Sequence, residues 1–274
     1  MLNTKFRGEL ITMKNRKIIA LLLIIVFSIS IFSFPVFAQA SNSNLQSVIE
    51  TFYTARNNNQ FGKFINSFYF ADLISEEDKA ALSQTFYNER INYGIEPVES
   101  KLIDNSTGEF TYFEISRIKG NNNRFALSTS KVKATLKKNQ TGWKIYDLNY
   151  IQSYPLSIPQ DIVNTFYTAR NNKDFDKYLN SFYYADLLDE ATINSMKDTF
   201  YINFSFTVNY SIEPIDLIVK DSNNVEFVYD EIQTVTNGSA KLVIKTKVSA
   251  YLKKKNSEWK IESFNFGTST FEKL

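Results

Sequence analysis

The side chains most able to do chemistry are aspartates that recur beside tyrosines. Asp72 and Asp186 hold the same place in two copies of the pattern Ser-Phe-Tyr-x-Ala-Asp-Leu. A carboxylate in apolar surroundings has a raised pKa and can act as a general base, while neighbouring phenols stabilise an oxyanion. Both aspartates are therefore candidate catalytic residues. The simpler, structural alternative is that each one caps a helix or forms an ion pair, with Arg56 or Arg170.

Glu114 and Glu231 are the second pair of candidate catalytic acids, because each follows aromatic residues at the spacing of a strand. Phe110, Tyr112 and Glu114 occupy alternate positions and so share one face of a predicted strand. The same order returns before Glu231, with Tyr229 two residues earlier. A carboxylate on an aromatic face is costly unless it is paired or used. This cost makes the two glutamates stand out from the other acids of the chain.

Structural alternatives exist for these glutamates too. Their strand face could be open to solvent, or each glutamate could meet a lysine on the neighbouring strand. Lys131 and Lys247 are the lysines that such a cross-strand pair would use.

Four tyrosines are candidate ligand-binding residues. Tyr53 and Tyr167 lie on the first predicted helix of each half, and Tyr112 and Tyr229 lie on the strand face of the glutamates. The alternative is that they belong to the core, where a buried tyrosine usually has a hydrogen-bonded hydroxyl.

The chain contains no histidine and no cysteine. It therefore lacks the commonest general base at neutral pH, the commonest zinc ligand and any thiolate. No phosphate-binding glycine loop, nucleophile elbow or metal-spaced cluster is present in the sequence. These absences favour a protein without metal or cofactor, and a binding protein over an enzyme.

Charge argues against a nucleic-acid partner. The formal net charge is +2, but residues 1–40 hold five basic residues and one acidic residue. The rest of the chain carries 26 basic and 28 acidic residues. A chain whose net charge is this close to zero lacks the excess of positive charge typical of nucleic-acid-binding proteins.

Residues 1–40 have the pattern of a secretory signal peptide. Met13 to Lys17 is basic, residues 18–34 are almost entirely apolar, and Ala38 and Ala40 end two small-residue cleavage sites. Met13 could be the true start. The alternative is an uncleaved anchor, since the 17 apolar residues nearly span a bilayer. We expect a secreted or extracytoplasmic protein of the cell envelope, with membrane contact only through this segment if it is uncleaved.

The remainder of the chain consists of two repeats, which predict two copies of one fold. Residues 51–73 and 165–187 are identical at 17 of 23 positions, and shorter matches continue as far as residues 143–145 and 259–261. Small gaps fall between the matching segments, as they do in loops that connect fixed elements. The predicted domains are a first repeat at 41–152, a linker at 153–158 and a second repeat at 159–274.

Each repeat begins with apolar residues at helical spacing and ends with residues that alternate with a period of two. In the first repeat we expect a helix up to Asn57, a short helix after Phe61, and a third from Ser75 to about Asn92. Strands are expected at 95–104, 109–117, 124–138 and 143–150. The last strand changes face midway, which indicates a bulge that bends the sheet. The fold class is α+β: helices packed on a curved four-stranded antiparallel sheet, forming a cone.

These motifs resemble the nuclear transport factor 2-like superfamily, also called cystatin-like and including SnoaL-like proteins. The matching segments are Phe-Tyr-Thr-Ala at 52–55 and 166–169, Ala-Asp at 71–72 and 185–186, and Trp-Lys-Ile at 143–145 and 259–261. Gln60 departs from the aspartate usual in the family, which Asp174 keeps in the second repeat. The resemblance implies a cone-shaped pocket and frequent dimerisation through the sheet. It also implies a family of isomerases, dehydratases and non-enzymatic binding modules.

Fold alone does not choose among these functions. We expect the two repeats to pack on each other as an internal pseudo-dimer. The sequence favours an exported, non-enzymatic module that binds a small ligand, an envelope protein or the cell wall. The alternative is an isomerase or dehydratase that uses the acids and tyrosines in the cone.

Overall fold

The structure is a computed structural model, which describes residues 43–201 and 206–273. The predicted signal peptide lies outside the described residues. Both repeats belong to one unit, residues 41–274. In the described ranges, no helix combines the length and the apolar character needed to cross a membrane.

The first repeat has three helices followed by four strands. Its elements are α1 (Ser43–Asn57), α2 (Phe61–Ile65), α3 (Glu76–Ser83), β1 (Ile91–Leu102), β2 (Thr107–Lys119), β3 (Phe125–Asn139) and β4 (Gly142–Ser153). Short 3-10 turns occur at Ala71–Leu73 and Asn121–Asn123.

The second repeat has the same order. Its elements are α4 (Gln160–Asn171), α5 (Phe175–Asn180), α6 (Glu190–Phe200), β5 (Thr207–Val219), β6 (Asn224–Asn237), β7 (Ala240–Lys255) and β8 (Glu258–Lys273). A 3-10 turn occurs at Ala185–Leu187. The sheets are antiparallel meanders in the orders β1-β2-β3-β4 and β5-β6-β7-β8. The α+β class predicted from the sequence is confirmed.

The apolar stripe of α1 faces the sheet, as its helical spacing predicts. Leu45, Ile49, Phe52 and Tyr53 are all buried in the core of the first repeat. The helix ends at Asn57, and the left-handed residue that turns the chain is Asn59, with φ of 53°. Asparagine tolerates this conformation better than most residues, which explains the stop.

The third helix is shorter than predicted. The side chain of Ser75 caps it by accepting from the amide of Asp78, but it ends at Ser83 instead of near Asn92. The reason is Phe86, whose ring is buried against Phe61 and Phe64. Burying this ring against α2 requires the chain to leave the helix before it reaches β1.

The predicted bulge in the last strand is present in both repeats. Leu136 pairs with Ile145 and Thr135 with Asp147, so Tyr146 is the extra residue of β4. Pairing in the second repeat skips Glu262 of β8 at the equivalent place. Each bulge bends the sheet around the first helix of its repeat and so makes the cone.

The first repeat contributes two side chains to the core of the second. Phe125 and Leu127 of β3 pack with Val163 and Leu217, and are only 1% and 2% exposed. Leu127 exchanges two backbone hydrogen bonds with Ser157, of 2.8 and 3.0 Å. The second core is therefore incomplete without the first repeat.

In the first repeat, the equivalent end of the core is filled by a residue of that repeat itself. Leu45 lies against Gly108, where an added Cβ would meet a Leu45 methyl group at 2.6 Å. The second repeat has Pro159 and Val225 at these two positions. It lacks the leucine of the first repeat, and the donated Phe125 lies in its core instead.

Polar contacts also join the repeats. Arg117 forms an ion pair with Asp216 and donates to the carbonyl of Leu217 at 3.0 Å. Glu96 accepts from the amide of Ser222 at 2.9 Å. The predicted pseudo-dimer symmetry stays a prediction.

Candidate functional site

A buried phenol–carboxylate cluster lies inside the first cone. Helix α1 places Tyr53 on its sheet-facing side, and β2 places Tyr112 and Glu114 opposite it. The hydroxyl oxygens of Tyr53 and Tyr112 are 3.1 Å apart, and Tyr53 also donates to Oε2 of Glu114. Tyr150 of β4 donates to the same oxygen at 3.2 Å. Glu114 is 9% exposed, so its side chain is hydrogen-bonded by phenols rather than by water.

The second cone repeats the cluster with a different final donor. Tyr167 lies 3.0 Å from the hydroxyl of Tyr229 and donates to Oε2 of Glu231, which is 2% exposed. Phe266 stands where the first repeat has Tyr150 and cannot donate. Gln233 donates to Oε1 of Glu231 instead. The buried glutamates of the two repeats thus differ in the residue that donates their last hydrogen bond.

The phenols of both clusters are held in their protonated form. Burial raises the pKa of Tyr53, and the neighbouring Tyr112 and Glu114 raise it further. Burial likewise raises the pKa of Tyr167, with Tyr229 and Glu231 adding to the shift. For Tyr150, burial and then Glu114 raise the pKa to about 12. These hydroxyls therefore act as donors at neutral pH, and the clusters are well suited to holding a carboxylate in the core.

The aspartates do not join these clusters. Asp72 and Asp186 are exposed on the 3-10 turns. Asp186 accepts from the ammonium of Lys255, and this hydrogen bond lowers the pKa of the aspartate. The pairing with Arg56 or Arg170, considered from the sequence, is not formed: the described ion pairs include neither arginine. Both aspartates remain candidates from the sequence alone.

The glutamates also have partners other than those considered from the sequence. Glu114 faces Ser130 across the sheet and Glu231 faces Thr246, whereas Lys131 and Lys247 lie one position further along. The phenol that binds each carboxylate comes from the helix inside the cone. A cross-strand comparison could not find it, although Tyr53 and Tyr167 were themselves among the sequence candidates.

Two arginines near the helix ends were missed as functional candidates. In the first repeat, Arg56 donates from Nε to the carbonyl of Phe86 at 3.1 Å and lies 4.2 Å from the centre of the Tyr93 ring. In the second, Arg170 donates to the hydroxyl of Tyr210 at 2.9 Å, with its guanidinium 4.1 Å from that ring centre. The sequence feature that could have identified them is the presence of an arginine at the same position in both repeats.

A cavity in the second repeat has a volume of about 710 Å³. It lies where the end of α4, helix α6, the start of β5 and the β6–β7 turn approach one another. Residues that line it include Arg170, Tyr178, Thr199, Asn209, Tyr210 and Asn237. None of the described residues that line it is Asp or Glu.

Two smaller cavities have volumes of about 460 and 260 Å³. Among the described residues, no residue of the Tyr–Glu clusters, and neither Asp72 nor Asp186, lines any of these cavities. As ligand contacts, the four tyrosines therefore stay predictions. The described residues hold no group of three side chains suited to a metal ion.

Helices that precede a curved antiparallel sheet, with the first helix inside the curve, define the architecture of both halves. This is the architecture that the resemblance to the nuclear transport factor 2-like superfamily predicts. No family model matches the chain, and no curated protein matches it either.

Several solved structures match parts of the chain, three of which follow. A hexachlorocyclohexane dehydrochlorinase is 10% identical, with 42% of this chain and 85% of that chain covered and a TM-score of 0.33. A nuclear transport factor 2-like protein of unknown function from Shewanella oneidensis is 11% identical, with 39% and 96% covered and a TM-score of 0.31. A cystatin-like domain from Nostoc punctiforme is 14% identical, with 60% and 96% covered and a TM-score of 0.31. At these scores the alignments carry no argument about activity.

Proposed function

We propose that this chain is an exported, non-enzymatic binding protein whose ligand site is the cavity of the second repeat. The observation that carries the proposal is that the buried glutamates of the cones do not line the cavity. The carboxylates retained in the cones are buried and bound by phenols, whereas the 710 Å³ cavity is lined by arginine, amides, hydroxyls and aromatic rings. A volume of this size is typical of small-molecule sites, which span roughly 300–1,000 Å³.

General acid–base chemistry has little support in either cone. A catalytic base must reach the proton it removes, directly or through one water. Glu231 instead accepts from Tyr167 and Gln233 while almost wholly buried. We interpret the clusters as devices that fix the first helix of each repeat against its sheet.

Export and a place at the cell envelope belong to the same proposal. They rest on the signal-peptide pattern of residues 1–40, with its basic start, apolar run and small-residue ending. The ligand would then be a small molecule met outside the cytoplasm. An envelope protein or the cell wall is the alternative partner.

A thermal-shift screen of chemically diverse small molecules tests the binding site. Thr199→Trp is the blocked variant, because Thr199 lines the cavity and is exposed, so a large ring there fills space without disturbing the core. We expect one chemical class to raise the melting temperature of the natural protein and to have no effect on Thr199→Trp. Equal shifts in both proteins, or no shift with any class, would reject the cavity as the site.

One observation favours the alternative, an isomerase- or dehydratase-type enzyme. Tyr150 is 51% exposed and donates to Glu114, so the first cluster reaches the surface through one phenol. Incubation of each binding compound with the protein, followed by NMR for new products, tests this alternative. Product formation that Glu114→Gln abolishes would establish catalysis and overturn the non-enzymatic proposal.

A further inference from the structure

The equivalent arginines of the two repeats, Arg56 and Arg170, have different hydrogen-bond partners. In the first repeat, the carbonyl of Phe86 accepts from Nε of Arg56, and Phe86 itself is buried against α2. In the second, Arg170 donates to the neutral hydroxyl of Tyr210 and lines the cavity. A guanidinium has five N–H donors, so most of the donors of Arg170 remain available to a ligand.

Arg170 is also held in place. Asn171 donates to the carbonyl of Tyr210 at 2.8 Å and accepts from its amide at 2.8 Å. This pair of hydrogen bonds fixes the start of β5 against the end of α4, and the Tyr210 ring then supports the guanidinium from 4.1 Å. A donor fixed before binding loses less entropy when the ligand arrives.

The surroundings of Arg170 favour negative charge. No acidic side chain of the described residues lines the cavity. Asn209 and Asn237 line the same cavity, and their side-chain amides form no hydrogen bond within the described residues. The aromatic rings of Tyr178 and Tyr210 offer an apolar wall beside these donors.

We propose that the cavity binds a small organic acid through its carboxylate, with Arg170 as the residue that determines specificity. This inference rests on the proposed function, because it assigns a ligand class to the same cavity. The planar fork of arginine matches a carboxylate with two parallel hydrogen bonds. The aromatic wall would contact the apolar or aromatic body of the acid.

Matched pairs of ligands test the charge requirement. The probes are benzoate, cinnamate, 2-naphthoate and indole-3-acetate, each compared with its uncharged carboxamide by isothermal titration calorimetry. We expect at least one carboxylate to bind roughly ten-fold or more tightly than its amide, since charge-assisted hydrogen bonds are about twice as strong as neutral ones. The advantage should shrink as salt is raised.

Variants of the two equivalent arginines test which of them gives the carboxylate its higher affinity. Arg170→Met should remove the advantage of the carboxylate, and Arg170→Lys should retain only part of it, because lysine keeps the charge and loses the fork. Arg56→Met is the control and should bind like the natural protein. Circular dichroism melting of each variant separates loss of binding from loss of folding.

The outcomes distinguish the two proposals. Equal affinity for acid and amide would leave the cavity as a binding site and overturn the organic-acid inference. Carboxylate binding that survives Arg170→Met in a folded protein, or that is lost in Arg56→Met, would also overturn it. No binding of any acid or amide would count against the organic-acid inference and the proposed binding function together.

Discussion

Replacing Tyr167 by phenylalanine should destabilise the second repeat while leaving its packing intact. The substitution removes one oxygen, which donates to Glu231 and lies 3.0 Å from the hydroxyl of Tyr229. A hydrogen bond to a charged group contributes about 1.5–3 kcal/mol, and a neutral one about 0.5–1.5 kcal/mol. Because Glu231 stays buried at 2% exposure, we expect the free energy of unfolding to fall by about 2–4 kcal/mol.

Urea unfolding of residues 41–274, followed by circular dichroism, measures this change. Tyr251→Phe is the control, because the Tyr251 hydroxyl on β7 forms no hydrogen bond among the described residues. Its effect should stay within about 0.5 kcal/mol, as is usual for such sites. If Tyr167→Phe were as stable as the natural protein, or more stable, the cluster would not be structural. Increased stability would instead indicate a functional site that trades stability for activity.

Three further predictions follow from other parts of the chain. Folded-state pKa values above the ordinary value near 10 mean that the tyrosines of the clusters stabilise the fold below about pH 10, and that this stability is lost as pH rises further. Tyr150→Phe should lessen that loss, and an unchanged alkaline unfolding curve would contradict the assigned pKa of about 12. Phe125→Ala should lower the free energy of unfolding by about 3–5 kcal/mol, because the ring is buried in the second core. The exposed Phe271 is its control, and equal effects of the two alanine variants in urea unfolding would refute the donated core. N-terminal sequencing of the exported protein should begin after Ala38 or Ala40, whereas retention of residue 18 onward would indicate an anchor.

Much of the fold could be predicted because it depends on local periodicity. The helical stripe of Leu45, Ile49 and Phe52 and the change of face after Ile145 both appear in the sequence and in the structure. Helix α3 was predicted too long because its end is set by a tertiary contact. Phe86 packs against α2, and helical spacing alone does not contain that contact.

The site was harder to predict than the fold. The sequence identified the glutamates and the tyrosines of the helix and of the central strand, but not Tyr150 or Gln233, which complete the two clusters. The partner of Glu114 was sought across the strands, while Tyr53 approaches from the helix. The donation of Phe125 to the second core joins distant parts of the chain and leaves no local pattern. Arg170 lines the cavity and donates to the hydroxyl of Tyr210, whereas Arg56 donates to the carbonyl of Phe86, although the two sequences are nearly identical there.

The most direct test of the account compares two variants for binding of the tightest carboxylate found among the probes. The account predicts that Thr199→Trp abolishes binding, because the cavity is filled. It predicts that Glu231→Gln, where folded, binds with an affinity within about two-fold of the natural protein, because the buried acid is not part of the site. Binding that survives Thr199→Trp and is lost in a folded Glu231→Gln protein would contradict it. That result would place the ligand inside the cone, on the carboxylate that we assign to the core.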